Sequence, residues 1–259
     1  MKSAGGNVTR ASTRVPWTPT DWFFLAAFLF WSLLGLIFTF AHFTPATFGR
    51  LHLQPELEDF VDLCIQNGDP ILIILAFFNT HLHAARQWTG GVARRWAFII
   101  LLCAYLIETA GTLTSIPFGD YRYTDKFGPS LWPGSTLLSV PITIPLAWHV
   151  IITNALFIVR AAAPHLTALG EALAAGAICT AYDFILEPFA TRVKGYWIWN
   201  NGSVPLLNYV SWFVLSALLI WFFAPTLSTR FRRDPRPWII LACTVLIFLA
   251  GEFAMRFYR

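Results

Sequence analysis

An all-α, polytopic transmembrane bundle of about seven helices is the fold class this sequence predicts, and three observations carry the expectation. Hydrophobic residues fill 56% of the 259 positions and charged residues only 12%, against roughly 25% charged in an average soluble domain. Apolar runs of about 20 residues, the length that crosses a hydrocarbon core, recur from end to end. The cations gather in the connections between those runs, which is a topology signal and not a nucleic-acid patch.

Taken in order, residues 1–20 are polar and basic and lack an apolar core followed by a small-residue cleavage site. They are expected to be a disordered cytosolic tail, with the first apolar run an uncleaved anchor. Spanning runs fall near 21–42, 69–86, 95–117, 141–160, 166–186, 206–224 and 237–254, the second being the shortest. No internal repeat and no soluble insert interrupts them, so residues 21–259 read as one transmembrane helical domain. With the N-terminus inside, eleven of the 18 Lys and Arg lie on the inner side, while Glu56, Glu58, Asp59 and Asp62 lie outside. The positive-inside rule then gives a cytoplasmic N-terminus and an external C-terminus. Cys64, Cys103, Cys179 and Cys243 are scattered without metal or redox spacing and read as packing residues.

The third run contains a glutamate, Glu108, in an otherwise apolar stretch from Trp96 to Pro117. Insertion scales penalise a carboxylate at mid-membrane by roughly 2.5 to 3.5 kcal/mol, so an intramembrane acid points to function. Glu108, Gly111, Thr112 and Ser115 share one helical face, which must point into the bundle. The fifth run repeats the pattern with Gly176, Thr180, Asp183 and Glu187, and Pro188 is expected to stop that helix. Carboxyls four residues apart on a helix tend to hold a proton between them, although Glu187 also suits an interfacial role beside water or Arg192.

The fourth run offers Trp148 and His149 at a depth similar to Glu108. His149 is placed either to tune an acid or to fill space. Asn208 opens the sixth run with Trp212 one turn on, and either orients a water or caps the helix. The connections 118–140 and 188–205 are separated by two spans and so lie on one membrane face. Both are rich in Tyr, Trp, Gly and Pro, and together they can form a lid. With 17% aromatic residues, including 12 Trp and 24 Phe, the walls suit a long apolar or π-rich ligand, and the pattern implies a membrane-embedded enzyme acting on a lipid.

Several chemistries lack their residues. His81 and His83, at i and i+2, face different sides of a helix and do not make a di-iron histidine box. Lys2, Lys126 and Lys194 lie outside the spans, which excludes a retinal Schiff base. Asp120 and Asp125 are not a diphosphate-binding DxxxD pair, and no GxGxxG loop supports a nicotinamide or flavin. No metal site and no cofactor is expected.

Two blocks resemble a known family. The first runs through Glu108, Gly111, Thr112, Pro117, Gly119, Tyr121, Tyr123, Gly128, Pro129, Pro145 and Trp148. The second comprises Asp183, Glu187, Pro188, Gly195, Trp197, Trp199, Val204, Pro205, Asn208 and Trp212. Over residues 100 to 215 the chain is similar to the membrane carotenoid hydratases, the bisanhydrobacterioruberin hydratase and γ-carotene 1′-hydratase type.

The resemblance implies carotenoid biosynthesis: a hydro-lyase adding water to the terminal 1,2 (or 1′,2′) double bond of an acyclic carotenoid end to give a tertiary alcohol. The partners it implies are water, membrane lipid, a carotenoid (lycopene, γ-carotene or an elongated C50 type) and other carotenoid enzymes, in a bacterial or archaeal plasma membrane. Such chemistry needs an acid at C2, aromatic faces for a C1 cation and a guided water. Glu108, Asp183, Glu187 and Asn208 are the expected catalytic groups, Glu108 as the acid and Asp183 with Asn208 positioning or deprotonating the water, with acid and base exchangeable between Glu108 and Asp183. Thr112, Tyr121, Tyr123, Trp148, His149, Trp197, Trp199 and Trp212 are the expected substrate contacts. A proton-coupled lipid or small-molecule transporter, and a carotenoid-binding protein without turnover, are the alternatives.

Overall fold

A computed structural model describes residues 17–40, 55–131, 139–225 and 233–257. Most of the expected tail, residues 1–16, lies outside them. Among the described residues there are seven α-helices: α1 (Pro19–Phe40), α2 (Pro55–Gln87), α3 (Gly90–Thr114), α4 (Thr143–Ala162), α5 (Ala168–Pro188), α6 (Leu206–Phe223) and α7 (Arg236–Phe257). Six of them are long and apolar enough to cross a membrane, and the chain is an integral membrane protein by that measure.

The exception is α2, expected as the shortest span and found as the longest helix, at 33 residues. Its polar residues lower its hydropathy, and they are used for packing. Asn79 donates to the Phe24 carbonyl of α1 at 2.9 Å, and Thr80 accepts from Asn154 of α4 at 2.8 Å. Bonded in this way, they sit fully buried between helices.

Packed on most sides, α4 is the central helix, with 83% of its spanning stretch buried. The ends of the other helices follow local signals. Thr89 caps α3 by accepting from the Val92 N–H, and Ser115 ends it in a left-handed conformation (φ 63°), just before the cis Ile116–Pro117 bond. Pro188 does not stop α5 as expected. The chain continues through one wide π-helical turn, Phe189–Lys194, which Gly195 closes at φ 65°. A proline removes the donor that an α-helical turn would use, and the Thr191 hydroxyl donates at 2.7 Å to the Glu187 carbonyl within this turn.

The two connections expected to form a lid do meet, and they do so as strands. β1 (Tyr121–Tyr123) pairs antiparallel with β2 (Trp197–Trp199), in the register Tyr121 to Trp199, Arg122 to Ile198 and Tyr123 to Trp197. Alternation along a strand sends the two tyrosines and two tryptophans to one side, and they line the interior, whereas Ile198 is exposed. Asn200 fastens the hairpin by donating to the Asp120 side chain at 2.7 Å.

Candidate functional site

The tyrosine strand reaches back down beside α3, so that Glu108, about 14 Å below Pro117 at the ordinary helical rise, still meets the lid. Gly111 makes this possible. A Cβ there would stand 2.9 Å from the Phe118 ring and 3.0 Å from the Tyr121 hydroxyl. Gly119, at φ 114°, turns the chain where a side chain would strike Pro205 at 2.6 Å.

Glu108 is 5% exposed and receives three donors. Tyr121 and Tyr123 donate their hydroxyls to Oε2 at 2.6 and 2.7 Å, and the Trp148 indole donates to Oε1 at 2.9 Å. Burial, reinforced by the adjacent carboxylate, pushes both phenols well above their ordinary range, so they remain protonated donors.

Opposite, on α5, Asp183 and Glu187 are each 2% exposed. Asn208 of α6 bridges them, its Nδ2 donating to Asp183 Oδ2 at 2.7 Å and to Glu187 Oε1 at 3.4 Å. The Trp197 and Trp199 indoles both donate to Glu187 Oε2, at 3.1 and 3.0 Å. Glu187 is therefore a lid-facing interior group, held by the second strand as Glu108 is held by the first.

All three carboxyls open on one cavity of about 80 Å³, room for several waters. Much of its remaining wall is apolar, with Leu72, Ile73, Ile144, Ile151, Ile247 and Phe248. Trp148 stacks on Trp212 with centroids 4.4 Å apart, and Tyr121 lies 5.2 Å from Trp199, so aromatic rings surround the acids. Such a site can offer a proton, stabilise a carbocation and hold a water.

Of the residues singled out in sequence, Glu108, Asp183, Glu187, Asn208, Tyr121, Tyr123, Trp148, Trp197, Trp199 and Trp212 line this cavity together. Thr112 and His149 do not. The Thr112 hydroxyl turns to its own helix, at 3.0 Å from the Thr109 carbonyl. His149, one residue past Trp148 and so on another face of α4, packs against Phe77 and His81 on α2.

Sequence reasoning missed Asp69, Lys194 and Tyr196. Lys194 of the lid pairs with Asp69 of α2 at 2.7 Å, and Tyr196 stacks on Phe127 with centroids 4.1 Å apart. Asp69 and Tyr196 belong to the cavity wall. An acid next to a proline inside a helix was the one available signal for Asp69. Nothing in the sequence indicated that Thr244 of α7, bonded to Tyr182 at 2.9 Å, also lines the cavity.

The family model described as "Carotenoid biosynthesis protein" matches residues 68–257, a stretch that holds every cavity residue named above. A relative from Haloarcula japonica, named bisanhydrobacterioruberin hydratase, is 28% identical over 133 residues, covering 48% of this chain. The chain spans 42% of that relative's length. No solved structure matches.

Proposed function

The chain belongs to the carotenoid biosynthesis protein family, and from that premise we propose that it hydrates the terminal C1–C2 (1′,2′) double bond of an acyclic carotenoid end group, giving a tertiary alcohol without a cofactor. One observation carries the reading: three buried carboxyls, each held by side chains of the lid or α6, face one aromatic-walled cavity with an apolar far side. The distant hydratase relative supports it.

A trisubstituted alkene is protonated at C2 because the cation then forms at the tertiary C1. The apolar wall takes the hydrocarbon end, the tryptophan and tyrosine faces stabilise the cation, and a carboxylate receives the proton that the attacking water gives up. The catalytic groups are Glu108, Asp183, Glu187 and Asn208, with Tyr121, Tyr123, Trp148, Trp197, Trp199 and Trp212 around the substrate. The bilayer supplies the carotenoid, lycopene, γ-carotene or an elongated type. The Lys and Arg distribution supports a cytoplasmic N-terminus, which would put the site near the outer face.

Expression in bacteria that accumulate these carotenoids tests the reading, with extracted pigments analysed by liquid chromatography and mass spectrometry. A more polar pigment, heavier by one water and missing with Glu108→Gln, is the expected result. Unchanged pigment from well-expressed protein on acyclic, monocyclic and elongated substrates rejects hydration. Pigment that co-purifies unaltered, equally with wild type and Glu108→Gln, indicates binding without turnover. The transport alternative needs acids leading to the far face, and there Glu171 is already paired with Arg160 at 2.9 Å.

A further inference from the structure

We infer that the acid and the base of this site are distinct carboxyls with fixed roles: Asp183 carries the proton that is given to C2, and Glu108 is the carboxylate that receives the proton of the attacking water. This rests on the hydration reading and settles which group does what. The warrant is the census of donors around each oxygen.

An indole N–H can only donate, so Glu108 Oε1 must accept from Trp148. Glu108 Oε2 faces two phenols. A proton on that oxygen would turn one of these two donor contacts around, so the neutral acid accepts from fewer of its neighbours than the anion does. Only the anion uses all three donors at once.

Glu187 accepts from two obligate donors, the indoles on its Oε2, and from the Asn208 amide at 3.4 Å on its Oε1, so it too has more donors than Asp183. Asp183 differs. Its Oδ2 accepts from Asn208, and its Oδ1 has no hydrogen-bond partner among the described residues while the residue lines the cavity. One helical turn from Glu187, which has three donor contacts, and with a single donor of its own, Asp183 is the carboxyl that holds the proton. Asn208 fixes the geometry of this pair.

The turnover then balances. The Asp183 Oδ1–H bond breaks as the alkene π pair forms the C2–H bond, leaving a cation at C1. The water oxygen bonds to C1, and its proton passes to Glu108. The proton returns from Glu108 to Asp183 through water in the cavity they share, which restores the resting enzyme.

Infrared spectroscopy of the purified full chain in detergent reads the assignment without a substrate, through the carbonyl stretch of a protonated carboxyl and its shift in deuterium oxide. The expected result is that Asp183→Asn removes one such band, that Asp183→Glu restores a band at a shifted frequency, and that Glu108→Gln leaves it in place. A band that disappears with Glu108→Gln, or that survives Asp183→Asn in protein with a wild-type melting temperature, overturns the assignment.

Turnover in deuterium oxide separates the two readings. Wild type should place one non-exchanging deuterium at C2 of the alcohol. Glu108→Gln should lose alcohol formation by at least about 100-fold yet still wash deuterium into the end group of recovered carotenoid, whereas Asp183→Asn should do neither. Absence of alcohol with wild type fails the hydration reading. A wash-in retained by Asp183→Asn and lost by Glu108→Gln fails the division of roles alone.

Discussion

Three donors on one carboxylate make Glu108 sensitive to the side chains that hold it. Hydrogen bonds to charged groups contribute about 1.5 to 3 kcal/mol, so Tyr121→Phe and Tyr123→Phe are each expected to lower alcohol formation by about 10- to 100-fold, measured as initial rate in membranes. Trp212 acts differently, as a ring stacked on Trp148. Trp212→Leu should remove about 0.5 to 2 kcal/mol of cation stabilisation, roughly 2- to 30-fold in rate, with Glu108 still bonded. The two phenols also set an alkaline limit. Their ionisation is displaced upward in the folded protein by burial. The unfolded chain therefore loses these protons first, and stability falls as pH rises above the ordinary tyrosine value of about 10. Melting temperatures in detergent between neutral and alkaline pH should show this fall, and the double Tyr121→Phe, Tyr123→Phe variant should show less of it.

At the scale of elements, the two-stranded lid decides the site. Its register sets Tyr121 and Tyr123 on Glu108, and Trp197 and Trp199 on Glu187, with one strand serving each acid. Gly111→Ala should separate stability from function. Helix propensity favours alanine by about 1 kcal/mol, while its Cβ pushes on Phe118 and the Tyr121 hydroxyl. The expected outcome is an unchanged helix content by circular dichroism with product formation largely lost. The pair of Lys194 and Asp69 is partly exposed, its side chains 33% and 26% accessible. Pairs of that kind are worth about 0 to 1 kcal/mol, so Lys194→Met should alter apparent substrate affinity by no more than about fivefold.

Across the whole molecule the bundle is closed at the opposite end by a buried ionic knot. Arg236 of α7, with a side chain 0% exposed, donates to Asp21 of α1 at 2.7 Å and to Asp234, while Arg86 of α2 also pairs with Asp21 and His83 with Asp234. Removing one member strands buried charge at a cost of about 3 to 5 kcal/mol. Arg236→Met should therefore lower the melting temperature in detergent sharply, although the residue lies on the membrane face away from the cavity. Burial opposes ionisation of Asp234, but hydrogen bonds from His83 and Arg236 outweigh it and hold the carboxyl below its ordinary range. Its stabilising contribution is thus present above the unfolded value and is lost as pH falls through the folded one.

The sequence by itself determined the helical class, the order of the spans and the identity of the acids. Each rests on a local cost: apolar length against bilayer thickness, and a carboxyl against hydrocarbon. Helical spacing also placed Asp183 and Glu187 on one face, because a period is a local property. Only the tertiary structure decided that α2 is a long polar-bearing helix, that Pro188 leads into a wide turn, and that the Tyr and Trp connections pair as strands. It also separated Trp148 from His149 and brought Asp69, Tyr196 and Thr244 to the cavity. These outcomes depend on partners distant in sequence. A buried polar group is tolerated only where another element satisfies it, and no local pattern records which element that will be.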